Sequence, residues 1–439
     1  MRKVLKNKAV LKDCKIYRML TQNNKRRHFS FHTPGHKNAK WDITELSYSD
    51  NLSAPKGCLA EAERDIATIL GAKKSFILTD GSTSGVLSML FAAKALGVKK
   101  ILASVDTHKS FFNGCAALGL IPLLYAVKNH GTIPAVLTLA KIKEECFALL
   151  EEADALFITS PSYYGRIADL AALREYCNQK GKLLLVDGAH GGHLHFNKDI
   201  YAGAYADIWV DGVHKSLPAF TQGAVVSASS EQTATALKSA VDVFRTTSPS
   251  YPIMASVEYA VKYPQNMALE KSVRDFAAKN QDRIYLQEDW TKLCAIFGDK
   301  AFAVEADLEK QGIYPEFCDG NCIMFYFSPA TPKRDFLALK KRLEVLFSQY
   351  PLSVKEEQKN ENKELQLVPA PLVFDKREVE WVFFDEAEGR VCARLCGLFP
   401  PCTPLLLVGE KISRERIELF KQANNVFGVE NASILVYKK

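Results

Sequence analysis

Four short polar segments, each directly after a predicted strand, carry the side chains of this sequence that could do chemistry. Asp80–Gly85 offers hydroxyls and backbone N–H groups at the start of a helix, which suits a phosphate. Asp106–Ser110 contains His108, which could stack on a planar ring or cap the next helix. Asp187 ends an apolar run, and a buried carboxylate there needs a cation or a donor as its partner.

The fourth segment, Asp211–Ser216, contains Lys215 beside apolar residues. Burial lowers the pKa of a lysine and makes its amine a usable nucleophile for a carbonyl group. A phosphate anchor, a flat side chain for stacking, a carboxylate and an amine, in that order, are what pyridoxal 5′-phosphate (PLP) requires. The carboxyl ends of parallel strands lie at one edge of a sheet, so we expect the four segments to form a PLP site.

Several strings resemble the ornithine/lysine/arginine decarboxylase family of fold-type-I PLP enzymes, and the resemblance covers nearly the whole chain. An early string, FHTPGHK, is the most specific of them. The matching segments are Phe31–Lys37, Asp42–Glu45, Ser160–Gly165, Asp187–Gly191, His214–Lys215 followed by Thr221–Gln222, and Thr247–Tyr251.

The resemblance implies a role in cofactor binding for seven residues. Two hydroxyls would bind the phosphate, two histidines would lie against the ring, and a third histidine would lie near the phosphate and the imine. An aspartate would pair with the ring nitrogen, and a lysine would carry the cofactor. In that order, the residues are Ser82, Thr83, His108, His190, His214, Asp187 and Lys215. The implied catalytic groups are Lys215, His214, His108 and Asp187, and no metal ligand is expected.

The resemblance also implies a reaction, the decarboxylation of arginine, lysine or ornithine to the corresponding amine in polyamine metabolism. Lys215 or His214 would return a proton to the α-carbon, and Asp50 or Glu45 would bind the cationic tail of the substrate. A homodimer or higher homo-oligomer is expected. The chain length fits the shorter form of the family, which has no N-terminal receiver-like domain.

Three positions depart from the family pattern. Gly212 and Val213 stand where the family has Ser and Thr, and Gly188 stands where short members often have Glu. Because that Ser helps to hold the phosphate, weaker or different phosphate binding stays open. Another PLP-dependent reaction and a non-catalytic regulatory homologue also stay open. A metal hydrolase built on the histidines of His190–His195 is a third alternative.

Short apolar strands alternating with helices predict the elements that position these residues. The pattern indicates an α/β fold with a mostly parallel sheet covered by helices on both faces. Helices are predicted over Leu59–Ile69 and Val86–Leu96. The predicted strands are 75–79, 100–105, 120–127, 155–159, 183–187, 207–211 and 224–228.

The pattern changes near residue 290, which predicts three parts: an N-terminal arm (1–55), a large PLP-binding domain (56–290) and a small C-terminal α/β domain (291–439). The small domain is predicted to contain a charged loop at 355–365. Its predicted strands are 322–328, 367–373, 404–408 and 432–436, and its predicted helices are 334–347 and 413–423.

The composition is that of an ordinary globular enzyme, with 439 residues of which 47% are hydrophobic and 24% charged. The net charge of +7 is scattered along the chain, which argues against a nucleic-acid partner. No apolar stretch has the length of a signal peptide core or a membrane span. Eleven cysteines without a CxxC pair fit reduced thiols, so we expect a cytoplasmic protein without membrane contact.

Overall fold

The computed structural model describes residues 5–25, 29–37, 40–125, 138–352, 377–399, 402–423 and 425–438. Within these ranges the chain forms one large α/β unit and two smaller units that follow it. The predicted loop at 355–365 and the predicted strand at 367–373 lie outside the described residues. The last two residues of the predicted strand 120–127 also lie outside them.

A seven-stranded sheet forms the centre of the large unit. Its strands are β1 (Lys74–Leu78), β2 (Lys100–Ser104), β3 (Ile121–Tyr125), β4 (Ala155–Thr159), β5 (Leu183–Gly188), β6 (Ile208–Asp211) and β7 (Ala224–Ala228). The order across the sheet is β1-β7-β6-β5-β4-β2-β3. Strand β7 is antiparallel to both of its neighbours, and the other neighbouring pairs are parallel. The predicted, mostly parallel sheet is therefore confirmed.

Helices cover both faces of this sheet because successive strand residues point to opposite faces. Leu156 and Ile158 join one hydrophobic cluster, and Phe157 between them joins the other. The helices of this part are α1 (Lys8–Asp13), α2 (Lys15–Asn23), α3 (Cys58–Leu70), α4 (Gly81–Ala95), α5 (Lys109–Leu118), α6 (Leu139–Glu152), α7 (Leu170–Lys180), α8 (Val213–Ser216), α9 (Glu231–Phe244) and α10 (Tyr251–Val261).

Helix α4 begins at Gly81, which corrects the predicted start at Val86. The glycine-rich string that indicates a loop is instead the first turn of the helix. A Cβ on Gly85 would lie 2.5 Å from Cγ2 of Val210 on β6, so a glycine there lets the helix approach the sheet closely. This close approach brings the start of α4 to the edge of the sheet where β6 ends.

A four-stranded antiparallel sheet forms the second unit, with a hydrophobic core that it shares with three helices. Leu269 and Phe276 of the first of these helices belong to this core. The packing therefore changes between Val261 and Met267, ahead of the predicted limit at residue 290. The elements are α11 (Met267–Lys279), β8 (Ile284–Leu286), β9 (Lys292–Ile296), α12 (Ala301–Lys310), β10 (Phe317–Cys318), β11 (Cys322–Tyr326) and α13 (Lys333–Gln349).

The third unit contains two small three-stranded sheets and one helix. It has a core of its own, but Leu395, Val408 and Tyr437 belong to the cluster that packs on the large sheet. No helix of the described ranges is long and apolar enough to cross a bilayer. The elements are β12 (Val379–Phe383), β13 (Cys396–Leu398), β14 (Pro404–Leu406), α14 (Arg414–Gln422), β15 (Val426–Phe427), β16 (Val429–Glu430) and β17 (Ser433–Tyr437).

The N-terminal helices are attached to the large unit through one buried carboxylate. The first turn of α2 has no side-chain cap of its own. Instead Glu258 of α10 accepts the backbone N–H of Lys15 at 2.6 Å and that of Ile16 at 2.9 Å. Lys262 lies 3.1 Å from the same carboxylate. Glu258 therefore caps α2 from a distant part of the sequence.

Replacement of Glu258 by Ala should loosen this attachment, because the backbone N–H groups of Lys15 and Ile16 would lose their acceptor, and Lys262 would lose one of its acidic partners while keeping Asp65 and Asp13. We expect the free energy of unfolding to fall by about 2–4 kcal/mol in urea denaturation. The matched control is Glu344→Ala, at an exposed carboxylate of α13, which should change stability by less than about 0.5 kcal/mol. Equal stability of the two variants would contradict the capping role.

Candidate active site

Lys215 lies where β6 ends, at the edge of the sheet that also holds the carboxyl ends of β1, β2, β4 and β5. It belongs to the short helix α8, and its Nζ lies 3.2 Å from Nε2 of His190. Burial lowers the pKa of the Lys215 amine, and the nearby Asp187 carboxylate opposes this shift. The amine therefore has the environment that the sequence predicts for it.

Asp187 lies at the end of β5 with its side chain buried. Its Oδ1 accepts the backbone N–H of Ala189 at 3.1 Å, the one hydrogen bond of this carboxylate among the described residues. Burial raises the pKa of Asp187, and the charge of Lys215 lowers it again. A buried acid with so few donors fits a protonated ring nitrogen as its partner.

The start of α4 fits the phosphate of the cofactor. Asp80 precedes the helix but makes no side-chain cap, because its carboxylate accepts the backbone N–H of Thr246 at 3.3 Å. Ser82 is half-buried and Thr83 is exposed in the first turn. Uncapped backbone N–H groups beside two hydroxyls make an anion site at a helix N-terminus.

Two of the predicted histidines are held by bonds to their Nδ1 atoms. His108 caps α5, because its Nδ1 accepts the backbone N–H of Ser110 at 3.2 Å. Burial lowers the pKa of His108 to about 4, which keeps the ring neutral. Nδ1 of His214 lies 2.8 Å from the carbonyl oxygen of Gly223 and must donate to it. The Nε2 atom of His214 is then an acceptor.

The His190 ring lies between the lysine and two tyrosines. Its centroid is 5.0 Å from that of Tyr163 and 5.8 Å from that of Tyr326, both in edge-on contact. Burial and the charge of Lys215 lower the pKa of His190 well below its usual value. The neutral ring accepts from Lys215 through Nε2, whereas its buried Nδ1 has no partner among the described residues.

A carboxylate of the second unit reaches the site, and the sequence analysis does not find it. Glu316 precedes β10 and accepts a hydrogen bond from the Tyr163 hydroxyl at 2.6 Å. Its charge raises the pKa of Lys215, against the larger effect of burial. The Phe317 ring lies 4.9 Å from that of Tyr163, so acidic and aromatic groups line this side of the site.

A second acid, Asp211, begins the fourth polar segment of the sequence without a predicted role of its own, and it lies near Asp187 at the end of β6. It is fully buried and accepts from the Tyr201 hydroxyl at 2.6 Å and from Nε1 of Trp209 at 3.1 Å. Burial raises its pKa to about 7. An aspartate that ends an apolar strand, as Asp187 also does, is the signal that could have identified it.

The two carboxylates predicted to bind the substrate tail have structural roles in this chain. The Asp50 carboxylate accepts hydrogen bonds from the backbone N–H groups of Lys56, Gly57 and Leu59 at 2.8–2.9 Å. It therefore caps the N-terminus of helix α3. Glu45 accepts the backbone N–H of Leu52 at 2.6 Å. Both side chains hold turns near the N-terminal arm through backbone N–H groups.

The three histidines proposed as metal ligands have separate partners. Nε2 of His190 faces Lys215, Nε2 of His193 lies 2.8 Å from Asp289, and Nδ1 of His195 lies 2.7 Å from the Gly192 carbonyl oxygen. In the part of the chain that the structure describes, no three His, Cys, Asp or Glu side chains form a group that could hold a metal ion.

The third unit closes one side of the site through Cys402. The carbonyl oxygen of Cys402 accepts the backbone N–H of Lys109 at 3.0 Å, next to His108. Burial raises the pKa of the Cys402 thiol, and the charges of Lys109 and Lys215 lower it again. A segment from near the end of the chain thus lies against residues from the first quarter.

A buried aspartate at the end of one strand and a lysine in the helix that follows the neighbouring parallel strand, with a phosphate niche at a helix N-terminus, define a PLP enzyme of fold type I. The solved structure of the E. coli constitutive lysine decarboxylase has this fold, with a TM-score of 0.72 at 17% identity over 98% of this chain and 82% of that one. Serine palmitoyltransferase of Sphingomonas wittichii is more distant, with a TM-score of 0.56 at 15% identity over 78% of this chain and 85% of that one.

The family model named Orn/Lys/Arg decarboxylase, major domain, matches residues 39–287. The chain therefore belongs to the Orn/Lys/Arg decarboxylase family and is a PLP-dependent decarboxylase. An uncharacterized Bacillus subtilis protein, YaaO, is 27% identical over 96% of this chain and 98% of its own length. The arginine decarboxylase of the same organism is 26% identical over 92% of this chain and 93% of its own length.

There is a steric reason for a glycine at position 212. A Cβ on Gly212 would lie 2.5 Å from the carbonyl oxygen of Ala189, and one on Gly188 would lie 3.0 Å from that of Val210. The segments that follow β5 and β6 thus approach too closely for a side chain at position 212. The Ser of the family pattern would require this backbone to move.

Replacement of Gly212 by Ser, the residue of the family pattern, should therefore weaken the protein. We expect the unfolding free energy to fall by about 1–3 kcal/mol, the usual cost of overpacking, and PLP to bind less tightly. Urea denaturation and a PLP titration followed by absorbance measure the two effects.

Gly35→Ser is the control for stability, because a Cβ there has nothing within 4 Å. Unchanged stability with tighter PLP binding in the Gly212→Ser variant would show that the site accepts the family Ser.

Proposed function

We propose that this enzyme removes the α-carboxylate of a basic amino acid in cytoplasmic polyamine metabolism, with arginine as the first candidate. One observation carries the proposal: the Lys215 amine lies 3.2 Å from neutral His190, and its pKa is affected by the buried Asp187 and by Glu316. PLP bound there supplies an electron-poor ring, which accepts the electron pair left by departing CO₂.

We assign the residues around this ring by their positions. Asp187 would hold the proton on the ring nitrogen, since its burial makes an unpaired negative charge costly. Ser82, Thr83 and the N–H groups of α4 would bind the phosphate, with His214 close to them. His108 and His190 would enclose the ring and exclude water.

Two groups can return a proton to the α-carbon after CO₂ leaves. Lys215 would hold the cofactor, and its amine, when free of that link, would be one proton donor. His214, directly before it, is the alternative donor, but its Nε2 must first take up a proton, because its Nδ1–H is bound to the Gly223 carbonyl oxygen. His190 accepts a hydrogen bond from Lys215 through Nε2, so it keeps the amine oriented toward the site.

The substrate tail is assigned to Glu316, whose carboxylate is held by the hydroxyl of Tyr163, a tyrosine in contact with the His190 ring, and whose charge acts on Lys215. A guanidinium group binds a carboxylate through two parallel hydrogen bonds and stacks on aromatic rings. The arginine decarboxylase of Bacillus subtilis, 26% identical over most of both chains, supports arginine as the first substrate to test.

We also propose that the protein works as a homodimer or higher homo-oligomer. The arm exposes Phe29 and Phe31, which are 73% and 95% accessible in the single chain. Exposed apolar side chains of this kind are typical of contact surfaces between subunits. The division into an arm (1–55), a large domain (56–290) and a small domain (291–439) stays a prediction.

The reaction is tested with purified protein and PLP, by measuring CO₂ release from arginine, lysine and ornithine. We expect turnover of at least one of them, bleaching of the yellow colour by borohydride, and the resulting adduct on Lys215. Lys215→Ala should lower kcat by at least about a thousandfold, because both the cofactor link and a proton donor are lost. Bound PLP without turnover of any of the three would contradict the proposal.

Glu316→Gln should raise KM for the preferred substrate, because it removes the charge that faces the cationic tail. A hydrogen bond between charged groups contributes about 1.5–3 kcal/mol, so we expect an increase of about tenfold or more, with kcat less affected. Glu309→Gln, at an exposed carboxylate of α12, is the matched control. An unchanged KM would remove Glu316 from the substrate site.

A further inference from the structure

Four polar side chains form a buried cluster between the large unit and the second unit. Asp289 Oδ1 lies 2.8 Å from Nε2 of His193 and accepts the Thr291 hydroxyl at 2.6 Å. Lys292 Nζ donates to the Thr291 hydroxyl at 2.9 Å and lies 3.4 Å from Asp289 Oδ2. Lys292 and Asp289 are both 0% exposed. A lysine charge buried to this extent persists only with such partners.

The cluster is connected to the active site through one aromatic ring. Lys292 Nζ lies 4.4 Å from the centroid of the Tyr326 ring, which is a cation–π distance. The Tyr326 hydroxyl donates to the Tyr163 carbonyl oxygen at 2.6 Å, and its ring is in edge-on contact with His190. His190 in turn accepts from Lys215.

We propose that Lys292 is a positioning residue, which holds the Tyr326 ring against His190 and so fixes the place of the Lys215 amine. The inference rests on the proposed function, because it concerns the amine that carries the cofactor. The backbone N–H of His193 also donates to the Ser216 hydroxyl at 3.3 Å, so the same cluster supports the residue after Lys215.

The charge of Lys292 acts on the same amine. It lowers the pKa of His190 and that of Lys215, in each case together with the larger effect of burial. Asp289 pairs with Lys292 through Oδ2 at 3.4 Å, while its Oδ1 binds His193 and the Thr291 hydroxyl. Among the described residues, the other titratable groups that interact electrostatically with Lys215 are Asp187, His108, His190, His214, Glu316 and Cys402.

The test uses the full-length, cofactor-free protein and does not depend on turnover. The labelling rate of Lys215 by acetic anhydride is measured against pH, with the peptide that contains Lys215 quantified by mass spectrometry. Lys292→Met keeps the length of the side chain without its charge. We expect the midpoint of the Lys215 curve to move up by about 0.5–1 pH unit, because a repelling charge is gone.

Lys300→Met is the matched control, since Lys300 lies in the same unit with an exposed side chain. Its curve should match that of the unchanged protein. An unmoved midpoint in a folded Lys292→Met variant would overturn the proposal. Because the curve is measured without substrate, a protein that decarboxylates nothing can still show the shift, so the two failures are distinguishable.

A second pair of variants covers the case in which Lys292→Met does not fold. Tyr326→Phe keeps the ring between Lys292 and His190 and should leave the Lys215 midpoint unchanged. Tyr326→Leu removes the ring and should move the midpoint and raise the labelling rate at neutral pH at least twofold, since His190 loses its support. Identical curves for the two Tyr326 variants would overturn the proposal.

Discussion

The electrostatic coupling between the Lys215 amine and the Asp187 carboxylate is the interaction on which the rest of the site depends. Burial disfavours the charge of each group, and each group favours the charge of the other. The separation of the two is set by the sheet, because β5 and β6 are parallel neighbours with Asp187 opposite Val210. The hydrogen bonds of the sheet thus set the distance between Asp187 and the end of β6, and the short helix α8 that follows β6 brings Lys215 to the same place.

Much of the large unit could be predicted because its strands are buried on both faces and carry continuous apolar runs. Strand β4 and strand β7 begin and end at the predicted residues. The predicted start of α4 was wrong for a physical reason. A glycine-rich string in a sequence usually indicates a loop, whereas Gly85 is needed here for close packing of the helix on Val210. Single-residue packing of this kind depends on a partner far along the chain.

The candidate site was predictable to the extent that its residues follow strands. Asp187, His190 and Lys215 lie together because parallel strands end at one edge of the sheet. The alternation of strands and helices in the sequence is enough to predict this. Glu316 and Lys292 could not be found in this way, because both come from the second unit and reach the site only through domain packing. An isolated charged residue in sequence most often indicates a solvated surface, and nothing local distinguishes these two.

The bond between Cys402 and Lys109 has a consequence for biosynthesis. A chain that has emerged only as far as Leu398 already contains every strand of the large sheet together with Lys215, but it lacks the carbonyl oxygen that receives the Lys109 N–H. The rim of the pocket is therefore finished by a segment that is translated well after the sheet and Lys215. A nascent polypeptide can assemble its scaffold early, while full enclosure of the vitamin-derived group waits for this later segment.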